Sequence, residues 1–235
     1  MEMLPTKRHY FAAGLCVLFF LFVQTFQEIA YVRWIPASHG PQDDLAIYLL
    51  RIDQARALLL MGSILPLVVV YSAIALRYRK VAPLASVLGL LFGAAFVGFE
   101  IIARSSDFFV VGQNWARQFH AAASSAERDA ILQRFALWNE LVHGWYFPQM
   151  LSYLLASCLF AFAIVRGGGP WHRLAALAFV LNALRLLGRI LATFAGQAWL
   201  SGLNDKLYFP GVFVINVLLM LWLFRLSAEE AAEPA

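Results

Sequence analysis

The run LAALAFVLNALRLLGRILATFA at residues 174–195 decides the fold. Its only charges are Arg185 and Arg189, and it is long enough to cross a hydrocarbon core about 30 Å thick, which takes about 20 helical residues. Five more stretches have the same character, at residues 10–30, 56–76, 81–102, 137–165 and 207–226. The 235-residue chain is 62% hydrophobic and 14% charged, with a mean hydropathy of +0.70. Such a balance makes lipid part of the solvent for its side chains. The six stretches leave no room for a separate soluble domain, so residues 1–235 read as one all-α, six-span transmembrane helical domain. A spanning barrel would show shorter, alternating segments, and there are none.

Lys7 and Arg8 ahead of an apolar run resemble the start of a signal peptide. The run is nearly span-length, however, and no small-x-small cleavage site follows, so it reads as a retained first helix. Cys16 and Cys158 both fall inside spans, which argues for inert buried thiols and against a disulfide framework.

Basic residues flank the short connections 77–80 and 166–173 and also stand at Lys7, Arg8 and Arg225. On the other side, arginines lie in longer segments mixed with Asp43, Asp44, Asp53, Asp107, Glu127 and Asp129. Because the positive-inside rule weights short loops near span ends, both termini are expected to be cytoplasmic. The net charge of +4 is spread over span ends and forms no single stripe, so it points to membrane topology and away from nucleic acid.

Two outward segments carry helical signals. Gly40-Pro41, with Asp43 and Asp44 in the first turn and Leu45, Tyr48, Leu49 and Ile52 at helical spacing, predicts a short interfacial helix in the first loop. In the third loop, Ser124 and Glu127 fit a capping box, and residues 130–138 run without a breaker into span four. Short interfacial helices are therefore expected in the first and third loops.

Ionisable residues inside a membrane are costly and are functional by default. In span one, Gln24, Gln27, Glu28 and Tyr31 form one polar face. Span five carries Asn182, Arg185 and Arg189 on one stripe, with Arg185 roughly 16 Å deep at the helical rise. In span three, Glu100 follows Gly93 by one heptad, and the pair Gly89 and Gly93 marks a close-packing face, so the carboxylate should point into the bundle. Span four places Glu140 and His143 at i, i+3, followed by Tyr146 and by Pro148, whose missing N–H should kink the helix and open space nearby. Threaded in alternating directions, these groups gather in the outer half of the bundle.

Three accounts of this cluster stand. Arg185 and Arg189 could pair with Glu100 and Glu28 merely to fix helix register in a structural subunit. Alternatively, Arg185, Arg189, Asn182, Glu100, Glu28, Gln24, Gln27 and Tyr146 could line a pocket for a small anionic or lipid-like molecule, bound or translocated; a transporter of this size would act as a homo-oligomer or without the repeat architecture of most secondary carriers. Finally, Glu140 and His143 could serve as an acid-base pair or, with Glu100, as metal ligands, since a Glu-x-x-His spacing serves helix-bundle metal sites. No histidines pair across helices at mid-membrane, no lysine lies in a span interior, and no phosphate-loop or nucleotide-fold motif is present; these features argue against haem, retinal and nucleotide cofactors.

One span, an outward loop with Ile35-Pro36 and a short helix, a basic turn at 77–80, a long second outward segment, and Leu181-Asn182-Ala183-Leu184 in span five follow in this order. This layout resembles the bacterial six-span proteins grouped as domain of unknown function 4386. The resemblance implies a bacterial inner-membrane location and no established activity.

Overall fold

Six helices among the described residues are long and apolar enough to cross a membrane, and the chain is an all-α, multi-pass membrane protein. The computed structural model describes residues 6–232. Helix α1 (Lys7–Arg33) forms span one, and α2 (Pro41–Ile47) is the short helix expected in the first loop. Asp43, in the first turn of α2, ties down the incoming loop by accepting a hydrogen bond from the His39 N–H at 2.9 Å. Span two is broken into α3 (Arg51–Ile64) and α4 (Leu67–Tyr78). Pro66 accounts for the break, because it has no N–H to continue the helix. The Val68 and Val69 N–H groups instead reach back only three residues, to Leu65 and Pro66.

Span three differs from the expectation. Helix α5 (Pro83–Ser106) does not end in a loop; it continues through a π-helical segment (Asp107–Trp115) into α6 (Ala116–Ala121). In the wider turn, the Ala116 N–H bonds to the Val111 carbonyl five residues back. The third loop is therefore reduced to a turn at 122–124, and the short helix before it, α6, continues span three. The next helix, α7 (Ser125–Val165), starts at the expected cap, with the Glu127 N–H donating to Ser124 Oγ and the Ala123 N–H to Glu127 Oε2. Residues 83–121 and 125–165 are 39 and 41 residues long, about 58 and 61 Å at 1.5 Å per residue. A hydrocarbon core of about 30 Å covers only half of that, so the two helices stand out of the bilayer as a hairpin. Helices α8 (Pro170–Phe194) and α9 (Ala198–Ala232) complete the fold, and α9 starts earlier than the apolar run alone implied.

The spans pack as a closed ring in chain order. Each of α4, α5, α7, α8 and α9 lies against its neighbour, and α9 returns to α1, which also packs on α3 and α4. Closure leaves the ends of α1 and α9 side by side, where Ser227 Oγ donates to the Lys7 carbonyl at 3.1 Å. The start of α1 and the end of α9 thus lie on the face of the bundle opposite the hairpin. The main core fills the ring on the side of the termini. A second, small core of Leu45, Val111, Ala116, Ile131 and Phe135 joins α2 to the projecting hairpin, which explains why α2 holds its place outside the spans.

Glycines in span three do not bring helix backbones together. A methyl group at Gly93 would lie 2.6 Å from the Tyr71 ring, and one at Gly89 would lie 2.9 Å from the Phe160 ring. Each glycine is a seat for an aromatic ring from a neighbouring helix. Cys158 is exposed on the outer surface of α7 and not buried as expected; Cys16 is half-buried, and both are free thiols.

Candidate functional site

Helix-end residues on the hairpin side enclose a vestibule of about 670 Å³, bounded by α1, α2, α3, α5, α7 and the π segment. Asp53 and Arg56, at i, i+3 on α3, are both buried in its wall. Arg56 Nε donates to Asp53 Oδ1 at 2.8 Å and Nη2 lies 2.7 Å from the same oxygen, while Nη1 reaches Gln27 Oε1 at 3.2 Å. The guanidinium also lies over the Tyr31 ring, 4.7 Å from its centroid. Asp107, where the π segment begins, accepts from Trp138 Nε1 at 2.9 Å and faces the same space. Tyr48, at the end of α2, completes the wall. Burial first, and then the Asp107 and Asp53 carboxylates, push its phenol well above the ordinary range, so it stays protonated.

Deeper in the ring lies a chamber of about 100 Å³ lined by Gln24, Glu100, Arg104, Tyr146, Gln149, Tyr153, Asn182, Arg185, Tyr208 and Asn216 among apolar neighbours. Arg104 lines both spaces and so forms the boundary between them. It is held by Glu100 on its own helix, with Arg104 Nε donating to Glu100 Oε1 at 2.9 Å. The other Glu100 oxygen accepts from Gln149 Nε2 on α7. Gln149 directly follows Pro148, which deprives the Gly144 carbonyl of its helical donor. On α8, Asn182 Nδ2 donates to Ser157 Oγ at 2.8 Å, and Asn182 Oδ1 accepts from Arg185 Nη2 at 3.0 Å. The Arg185 guanidinium lies 5.6 Å from the centroid of the Tyr208 ring. Among the described residues no carboxylate comes within ion-pair distance of Arg185, whereas Glu100 and Asp53 each hold another arginine.

Several expected residues meet here, and others do not. Gln24, Glu100, Tyr146, Asn182 and Arg185 share the chamber, and Gln27 belongs to the vestibule through Arg56. The cross-helix pairs of Arg185 and Arg189 with Glu100 and Glu28 do not form. Glu100 is satisfied four residues along its own helix, the ordinary geometry for such a pair. Arg189 instead reaches Asp205 at the start of α9, at 3.1 Å and largely in the open. Glu28 is half-buried, lines neither space and has no hydrogen-bond or ion-pair partner among the described residues. Glu140 and His143 do share a face of α7, but it is an exposed one; His143 packs on the Phe194 ring at 5.1 Å, and neither residue lines the chamber that holds Glu100. Among the described residues no three His, Cys, Asp or Glu side chains gather into a group that could hold a metal ion.

Sequence reasoning missed Arg104, Asp53, Asp107, Gln149, Tyr153, Tyr208 and Asn216. Two signals could have found some of them. Asp53/Arg56 and Glu100/Arg104 stand at i, i+3 and i, i+4, spacings that pair charges on one helix, and Gln149 follows an in-span proline. Asn216 gave no sign beyond being an amide in an apolar run. No family model matches the chain, and neither a curated protein nor a solved structure matches it.

Proposed function

We propose that this protein binds or translocates a small anionic or amphiphilic molecule, taken in through the vestibule and held in the chamber at Arg185. The observation that carries this is Arg185 itself, a cation inside the ring whose hydrogen-bond and ring partners among the described residues are an amide oxygen and a ring face. A charge at that depth is expensive, and an anion is the partner that would offset the cost through charge-assisted, bidentate hydrogen bonds. The position of Arg104 between vestibule and chamber supports a route inward. The exposed placement of Glu140 and His143, away from Glu100, favours binding over catalysis.

The short basic turns support an orientation with both termini in the cytoplasm, which puts the vestibule on the outer face of a bacterial inner membrane. The span layout supports kinship with the domain of unknown function 4386 proteins.

Native mass spectrometry of the protein purified in mild detergent tests the binding. The expected result is a small anionic species retained by the parent and lost in Arg185→Met. Identical spectra for the two, with bulk lipid alone in both, would overturn the proposal.

A further inference from the structure

Helices α8 and α9 do not close tightly against each other on the lipid side. Between them runs an apolar groove of about 500 Å³, within the range of small-molecule sites. Leu184, Leu203, Leu207 and Val214 form its flanks, each 46–60% exposed on the outer surface of the bundle. Glycines hollow its floor. A methyl at Gly188 would lie 3.3 Å from Asn204 Oδ1, and one at Gly211 would lie 3.8 Å from Arg185 Cδ, so each glycine is crossed by a polar side chain of the opposite helix.

Those two polar side chains have unused hydrogen-bonding capacity. Arg185 lines the groove as well as the polar chamber, and so stands where the lipid side meets the interior. Asn204 Nδ2 is buried in the groove wall without a hydrogen-bond partner among the described residues. Asn204 lies against Gly188, three residues along α8 from Arg185. A cation and an amide donor in the wall of an otherwise apolar groove match one singly charged head on a hydrocarbon tail.

We infer that the groove between α8 and α9 is a lateral binding site for a long-chain carboxylate, its head held by Arg185 and Asn204 and its tail lying between Leu184 and Val214. A two-chain phospholipid fits less well, because one guanidinium and one amide are a small head site. The inference rests on the chamber being a ligand site, as proposed above, and adds a second, lateral approach to Arg185, from the membrane plane and apart from the vestibule, for an amphiphile.

Photolabelling in nanodiscs provides the test, with a photoreactive palmitate analogue as probe and the matching palmityl alcohol analogue as uncharged control. The expected result is palmitate labelling concentrated on groove residues. It should fall about tenfold in Arg185→Gln, as loss of a charge-assisted contact implies, and be preserved in part in Arg185→Lys. Filling the groove with Val214→Trp, at an exposed position, should remove it without touching Arg185. The alcohol should show no preference for the groove. Labelling spread evenly over all lipid-facing helices and unaltered in Arg185→Gln would overturn the inference, as would competition by phosphatidylglycerol that exceeds competition by unlabelled palmitate. If palmitate ignores the groove but butyrate binds the parent and not Arg185→Gln, the groove inference fails and the chamber stands. If neither carboxylate binds, both fail. Helix content and monodispersity of each variant keep a folding defect from being mistaken for any of these.

Discussion

The two halves of the ring are built from opposite materials. Toward the termini, aromatic rings fill the space: Tyr78 stacks on Trp222 at 6.4 Å, His172 lies edge-on to both, and Tyr71 stacks on Phe160 at 5.8 Å over the seats that Gly89 and Gly93 provide. Toward the hairpin, the same ring holds amides, phenols and paired charges around open space. In lipid there is little hydrophobic force between helices, so the dry half must be held by close packing. The wet half gains little from packing and is shaped by hydrogen bonds. Stability should therefore reside in one half and ligand recognition in the other.

The largest test of that division is Phe160→Ala. Phe160 is fully buried and touches the rings of Tyr71 and Phe179, and removing it should cost about 3–5 kcal/mol, read as a shift in denaturant unfolding in mixed micelles. Gly93→Leu comes next. Its first side-chain carbon would clash with Tyr71, which overpacks the seat at a cost of about 1–3 kcal/mol by the same measurement. Neither variant should change ligand affinity in the protein that remains folded. If Phe160→Ala cost less than Arg185→Met, the assignment of stability to the dry half would be wrong.

Within the wet half, the charges should divide into a coupled pair and an independent residue. Glu100 and Arg104 are bonded, so the cycle Glu100→Gln with Arg104→Met should show about 1 kcal/mol of coupling. Glu100 and Arg185 share the chamber but no hydrogen bond or ion pair among the described residues, so the cycle Glu100→Leu with Arg185→Met should show less coupling than the bonded pair. A strong Glu100–Arg185 coupling would restore the register-fixing account, in which those two charges serve only each other.

The difference between the halves also explains what could be read from sequence. Six spans were legible because run length alone decides them, and α2 because Pro41, Asp43 and Asp44 mark a helix start whatever surrounds them. The extension of α5 through residues 107–121 was not. Arg104, Ser105, Ser106 and Asp107 look like the exit from a membrane, yet no proline follows, and the chain stays helical by widening into a π turn. In the site, the inward direction of Glu100 was legible from Gly93, one heptad before it, and so was the Asn182–Arg185 stripe. The partners were not. Arg185 ends beside Tyr208, and Arg189 beside Asp205, because α8 and α9 are neighbours in the ring, and no spacing within one helix reveals that. Arg104 was passed over although its partner lies only four residues away, because it sits at the edge of the span, where a charge attracts no notice.

The smallest expected effect lies outside the ring, at Tyr48, where the two kinds of construction meet. Tyr48 packs edge-on against Phe135 at 6.4 Å and takes part in the small core that fixes the hairpin, but its hydroxyl belongs to the vestibule with Asp107 and Asp53. Burial and those carboxylates raise its pKa in the folded protein above the unfolded value of about 10. The folded state thus holds the proton more tightly than the unfolded state, and the stabilisation is complete below about pH 10. As pH rises past that value the unfolded chain loses the proton first, and the hairpin should loosen. Tyr48→Phe has no proton to lose and should keep the hairpin intact to higher pH, at a small cost near neutrality because the ring that packs on Phe135 is kept. Limited proteolysis at the 122–124 turn between neutral pH and pH 11 measures the difference, and the two proteins should separate only above about pH 10. Separation already at neutral pH would mean that the Tyr48 hydroxyl holds the hairpin by a hydrogen bond and not by staying neutral, and the wet half would then carry more of the stability than the ring suggests.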